Sequence, residues 1–407
     1  MSKLHRHIVR LMPLSLLAIA LSACSSQPEK HSTASAERPP LDWSIVESNP
    51  EALKLAPQLV DEIGEKIFSE TDARGMFMVV IDNNEVFHRS YGETRPGNGI
   101  KPRTDSLIRI ASVSKLMTSE VMVKMADDGL VNLNDPLQKY SYKQSSVPSY
   151  NGKPIRLFHL ASHTSILPRE QPGGKWGRPV FTWPSRDQRW TWLKTAKLTA
   201  QPGTEAAYSN LAYDLLADAL EKAGNRPYSE LFRHYVTQPA GMKDTTYNPS
   251  AAQCKRLMVG FKPSDCYSTL AAIGSGGVYS TPADMQKWMQ RFLSSGNTQR
   301  KATATKEQTI YFKRGHLNEI KGMDVAGEAD GLGLGWVYLA PVGDIPAIYQ
   351  KTGGGGGFNT YMAMIPEKNI GIFVVMTRKD GSKFSPLPNG VNDLVRSLAD
   401  LHTRNYL

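Results

Sequence analysis

Apolar positions recur at helical spacing through Leu53, Leu59, Val60, Ile63 and Ile67, which predicts a helix over 50–70, blurred in its first turn by Pro57. Met76–Ile81 is an unbroken apolar run, Asp82-Asn83-Asn84 is turn chemistry, and Glu85–Tyr91 reads as a second strand; together they predict a β-hairpin. Leu107-Ile108-Arg109-Ile110-Ala111 leads into a helical segment predicted over Ser112–Asp128. Residues 155–300 read mostly as helical pattern broken by loops, with Trp176, Trp183, Trp190 and Trp192 close together. Strand pattern then returns at Gly331–Leu339, Ala347–Thr352, Tyr361–Ile365 and Ile370–Thr377, the last two forming a hairpin around Pro366–Asn369. A final helix is predicted over Val391–Leu401.

Strands at both ends with helices between them predict an α+β fold. An antiparallel sheet lobe, with helices on its faces, is built from about 46–155 and 325–407, and a helical lobe of about 156–324 is inserted. No internal repeat at a solenoid period is present.

The first residues follow a different pattern. Lys3, Arg6 and Arg10 precede an apolar run from Leu11 to Leu21 that is too short to span a bilayer comfortably, which is the layout of an export signal. The run closes on Leu21-Ser22-Ala23-Cys24, which resembles a bacterial lipobox. The expectation is a signal peptide over 1–23, a lipid on Cys24, and a polar tether over 24–45. Ser25 after Cys24 favours the outer membrane, so the expected location is the periplasm, held by a lipid anchor. The bland reading is a simple cleaved signal with an incidental cysteine. In an oxidising compartment, Cys254 and Cys266 are expected to form a disulfide around a short loop.

Ser112-Val113-Ser114-Lys115 is the only Ser-x-x-Lys in the chain. Residues three apart share a helix face, so the Lys115 amine reaches the Ser112 hydroxyl. A buried lysine becomes neutral more readily and is then able to take the serine proton, making Ser112 a nucleophile. A helix cap beside a solvated lysine is the plain alternative. Tyr208-Ser209-Asn210 follows a Gln-Pro-Gly-Thr turn; the Tyr208 phenol is a second proton-transfer candidate, and the Asn210 amide either meets a substrate carbonyl or holds Lys115. Lys351-Thr352-Gly353 closes a strand pattern and runs into Gly354–Gly357. Lys351 offers charge to a substrate carboxylate, Thr352 a hydroxyl, and Gly353 close approach of a substrate backbone, while the amides of Ser112 and Gly354 suit an oxyanion hole. A flexible glycine turn is the competing reading.

In order and spacing these motifs resemble the penicillin-recognising serine enzymes. The Tyr-x-Asn form, with His159–Ser165, Pro239–Met242 and Ser280–Asp284, is similar to the class C β-lactamase branch. Ser90–Gly97, Pro168–Gly174, Leu270–Tyr279 and Gln350–Phe358 resemble the AmpH-type penicillin-binding proteins. The resemblance covers about 60–400 and includes the Cys254/Cys266 pair. It implies a β-lactamase/transpeptidase-like fold and D-alanyl-D-alanine carboxypeptidase and endopeptidase activity without a cofactor. It also implies Ser112 as nucleophile, Lys115 and Tyr208 as proton-transfer groups, and Lys351–Gly353 as the substrate-binding strand. The lipobox and tether depart from that pattern.

The formal charge of +10 falls to +7 once three basic residues of 1–23 are removed, a balance that suits an anionic partner and equally suits solubility. Peptidoglycan peptides fit as that partner, with β-lactams as covalent ligands; export argues against nucleic acid. His159 and His163 lack the glutamate of a metalloprotease helix, so no metal is expected. The tryptophans fill core or, less commonly, line a sugar groove. Left open by the motifs are a β-lactamase or carboxylesterase using the same site, a non-catalytic binding protein on the same fold, and whether Lys115 or Tyr208 is the acylation base.

Overall fold

The computed structural model describes residues 55–174, 178–261, 266–293 and 298–404. The signal, Cys24 and the 24–45 tether lie outside the described residues. Helix α1 (Ala56–Thr71) carries Pro57 in its first turn, where a missing N–H breaks no helical hydrogen bond. Strands β1 (Ala73–Asp82) and β2 (Glu85–Gly92) form the expected hairpin, pairing Asp82 with Glu85 at its tip. Helices α2 (Ser114–Asp127), α3 (Arg186–Leu193), α4 (Asn210–Gly224), α5 (Pro282–Leu293) and α6 (Thr298–Gln308) follow. The chain then returns to the sheet through β3 (Phe312–Lys313), β4 (Gly331–Leu332), β5 (Val337–Leu339), β6 (Ile348–Gly355), β7 (Phe358–Ile365) and β8 (Ile370–Arg378). Helix α7 (Pro386–Arg404) closes the described chain. It starts a full turn before the predicted Val391, because Pro386 and Pro388 sit in a first turn that tolerates proline.

The eight strands form one antiparallel sheet in the order β2-β1-β8-β7-β6-β5-β4-β3. Both faces are covered, so its central strands read as nearly continuous apolar runs. Successive side chains point to opposite faces. Phe77, Val79 and Ile81 of β1 join a core with Leu116, Met117 and Leu216 of α2 and α4. Met76, Met78 and Val80 face Val60 and Ile67 of α1 and Leu394 and Leu398 of α7 instead.

A buried ion pair locks α3 to α4. Asp218 accepts from Arg189 Nε at 2.6 Å and Nη2 at 2.7 Å, and from Trp190 Nε1 at 2.8 Å. Arg189 is 1% exposed, so removing its partner leaves a desolvated charge. Asp218→Ala is expected to cost about 3–5 kcal/mol in urea unfolding. Cys254 and Cys266 are joined by a disulfide with an S–S distance of 2.14 Å.

Candidate active site

Ser112 lies on a single 3-10 turn, Ala111–Val113, that runs directly into α2. The positive end of the helix dipole therefore falls beside its hydroxyl. Ala111, just before it, is buried and held in the left-handed region at φ +47°. Such a conformation costs an alanine on the order of 1–3 kcal/mol and persists because the surrounding core fixes it.

One turn along α2, the Lys115 side chain is fully buried. Its Nζ lies 3.0 Å from Ser112 Oγ, 2.6 Å from Asn210 Oδ1 and 2.5 Å from the Ser275 carbonyl. Burial pulls the amine down to about 7, opposed by the Asp214 and Glu170 carboxylates and reinforced by Arg169. Asn210, which sequence left between two roles, holds Lys115 with its oxygen and turns its Nδ2 to Glu170.

The Tyr208 ring is surrounded by cations. Lys351 Nζ, the Arg169 guanidinium and Lys115 Nζ stand 4.6, 4.7 and 4.9 Å from its centroid. The His163 ring stacks on it at 4.6 Å. His163 Nδ1 accepts the Ser209 N–H at 3.0 Å, so its proton sits on Nε2. Burial first, then Lys351, Lys115 and Arg169, hold that imidazole neutral. This histidine braces the Tyr208 ring from one face.

Lys351 is only 2% exposed, and its Nζ stands 4.6 Å from the Tyr208 ring centroid. Burial lowers its pKa to about 8, with Tyr208 opposing and Lys115 and Arg169 adding to the fall. Thr352, Gly353 and Gly354 do line a cleft of about 540 Å³ together with Ser112, Tyr208 and Asn210.

Strand β6 is shaped for this cleft. Its pairing with β5 stops at Gln350 opposite Val337, while pairing with β7 continues through Gly355. The stretch from Lys351 to Gly355 thus keeps one edge clear of β5, where an extended peptide can add. Gly353 passes directly over the nucleophile turn: a Cβ there would meet Ile110 O at 2.7 Å and Ser112 N at 3.1 Å. Gly353→Ala is expected to cut acylation at least about tenfold by displacing that amide. The glycines beyond are a seat, not a flexible turn, since a Cβ at Gly355 would fall 2.7 Å from the Phe181 ring.

Several contributors were not found from sequence. Asp214 accepts the Gly274 and Ser275 N–H groups and the Ser275 hydroxyl, each at 3.0 Å, and so fixes the carbonyl that receives Lys115. Burial raises this carboxyl to about 6, against Arg189 and Lys115. The available signal was its spacing: Asp214 lies four residues after Asn210 on one face of α4. Glu170 and Arg169 stood within a quoted segment with no role assigned. Of the tryptophans, Trp183 lines the cleft, while Trp190 is buried against Asp218; Trp176 lies outside the described residues.

Comparison with known proteins agrees with this geometry. The family model described as Beta-lactamase matches residues 57–395. The D-alanyl-D-alanine-carboxypeptidase/endopeptidase AmpH of Escherichia coli K12 is 58% identical over 347 residues, 85% of this chain and 90% of its own length. A crystal structure of a β-lactamase/D-alanine carboxypeptidase from Yersinia pestis, complexed with citrate, is 64% identical with a TM-score of 0.82, covering 84% of this chain and 98% of that one. A class C β-lactamase at 18% identity superposes with a TM-score of 0.68 over 84% of this chain and 98% of its own, and shares the fold. The chain belongs to the β-lactamase family of serine hydrolases, in its AmpH-like branch.

Proposed function

We propose that this chain is a penicillin-binding serine peptidase that cleaves D-alanyl bonds in peptidoglycan peptides, as carboxypeptidase and endopeptidase, through an acyl-Ser112 intermediate. The observation that carries the reading is the Lys115 environment. A neutral amine has two N–H donors and one lone pair. Three oxygens stand within reach of Nζ, Asn210 Oδ1, the Ser275 carbonyl and Ser112 Oγ at 3.0 Å; once neutral, the amine keeps its two donors on the first two and turns its lone pair to the Ser112 hydroxyl. Lys115 is accordingly the acylation base.

In this reading Ser112 Oγ attacks the D-Ala carbonyl and its proton passes to Lys115. The amides of Ser112 and Gly354 receive the developing oxyanion. Thr352 and the clear edge of β6 align the peptide. Tyr208, in the field of Lys351, delivers its proton to the leaving amine and takes in its place the proton that Lys115 received from Ser112, and water then hydrolyses the ester. The same chemistry opens a β-lactam, and what distinguishes a peptidase from a β-lactamase is how fast water removes each acyl group.

Location rests on the front of the chain. The basic start, the apolar run and Cys24 support export and lipidation, with the outer membrane favoured by Ser25. The disulfide suits an oxidising compartment.

Digestion of cross-linked muropeptides tests the activity: release of both D-Ala and monomers is expected, and release of neither ends the proposal. The pH profile tests the base. Lys115 must be neutral to accept the proton, so kcat/KM is expected to rise about tenfold per pH unit below about 7 and to level off above it. A flat profile from pH 5 to 9 would remove Lys115 from that role.

A further inference from the structure

One aromatic ring stands between the two sides of the site. A Cβ at Gly276 would fall 2.7 Å from Phe181 Cε1, and a Cβ at Gly355 would fall 2.7 Å from Phe181 Cζ. Gly276 follows Ser275, whose carbonyl receives Lys115. Gly355 follows Gly354, whose amide suits the oxyanion hole. The ring is therefore a wedge that sets the gap between the turn holding the base and the strand offering the oxyanion amide.

The wedge does not hold itself. Phe181 sits in the left-handed region at φ +64°, which a bulky residue keeps only where its neighbours fix it. The group that fixes it comes from far along the chain: Tyr267 donates its phenol O–H to the Val180 carbonyl at 2.8 Å. Val180 in turn packs against the glycine turn, its Cγ1 3.1 Å from where a Gly356 Cβ would stand.

Tyr267 is fixed from three directions. Its ring centroid lies 4.9 Å from the Arg109 guanidinium, which also lies 4.6 Å from the Tyr279 ring. Its carbonyl accepts the Tyr279 O–H at 3.0 Å. Cys266, the residue before it, is bonded to Cys254. Arg109 lies three residues before the nucleophile, and its Cδ is 2.8 Å from the place of a Gly356 Cβ. One phenol thus joins the disulfide loop, the approach to Ser112 and the cleft wall. Its reach into the site is indirect, through Val180 and Phe181, both of which line the cleft.

We propose that Tyr267 is a positioning residue for acylation, holding Val180 so that the Phe181 ring stays wedged between the Ser275–Gly276 turn and the end of β6; this rests on the acyl-Ser112 chemistry above.

The test measures acylation of the full-length enzyme by a fluorescent penicillin over a range of concentrations, in wild type, Tyr267→Phe, Phe181→Ala and the double variant. Tyr267→Phe keeps the ring on Arg109 and removes only the hydroxyl. It is expected to melt within about 4 °C of wild type and to acylate about three- to tenfold more slowly. The loss is expected in the limiting rate rather than in the half-saturating concentration, because the wedge aligns groups that act in the transition state. On the Phe181→Ala background the same change is expected to cost no more than about twofold, since the hydroxyl then has no wedge to hold. Should Phe181→Ala fail to fold, Phe181→Leu takes its place in the cycle. Tyr267→Phe acylating within about twofold of wild type, or costing as much without the Phe181 ring as with it, would overturn the positioning role while leaving the serine chemistry in place. A folded wild-type enzyme that takes no label would instead strike the acyl-Ser112 reading.

Discussion

Ser112→Ala is expected to lower D-Ala release by roughly 10⁵-fold or more and to abolish covalent labelling by a fluorescent penicillin. The fold should survive. Ser112 is only partly buried, and Lys115 keeps Asn210 Oδ1 at 2.6 Å and the Ser275 carbonyl at 2.5 Å. The variant should therefore still melt close to wild type and bind peptide non-covalently through β6. Labelling that persists at wild-type stoichiometry, mapped by mass spectrometry to another residue, would dismiss Ser112 as the nucleophile. A variant that neither binds nor folds would be uninformative about chemistry, so a thermal melt belongs beside the assay.

Lys115→Met is expected to slow acylation by about 10³–10⁴-fold, the scale of a positioned general base. Methionine nearly matches the length of the buried stem, so packing is kept, and a group that is costly to charge at 0% exposure is removed. Against this, Asn210 Oδ1 and the Ser275 carbonyl each lose a donor, at about 1–3 kcal/mol if nothing replaces it. A modest fall in stability with a large fall in acylation is the signature expected. The rise of rate with pH near 7 should vanish as well. Because the two groups act as a unit, Ser112→Ala combined with Lys115→Met should be no slower than Ser112→Ala alone. A Lys115→Met enzyme acylating within about tenfold of wild type would move the base to Tyr208.

Much of this arrangement was readable before any coordinates. The β1–β2 hairpin follows from an apolar run, an Asp-Asn-Asn turn and a second short strand, all local signals. Ser112 and Lys115 were legible because their contact needs only helical spacing. Tyr208 and Lys351 were legible as motifs, but their burial was not. Nothing in Lys351-Thr352-Gly353 tells that the lysine is buried beside a phenol. The glycine run read equally as a hinge, since its partner Phe181 lies far away in sequence and meets it only in the fold. Asp214, His163 and Glu170 act through contacts between loops and helices that pattern alone does not bring together. His163 had no role from its motif, and in the fold it supports a ring and receives a backbone N–H.

The register between β1 and β8 sets a timetable. Ala73 pairs with Arg378 and Asp82 with Ile370, so an early strand waits for one of the last. Strand β6, which crosses Ser112, is itself held by β7, and β7 by β8. A partly made chain consequently possesses the serine and its lysine without the scaffold that aligns a peptide against them. Hydrolysis is withheld until nearly the whole polypeptide is present, and the long loops that must close first make this assembly slow. Arrival of the C-terminal strands acts as the molecule's own arming step.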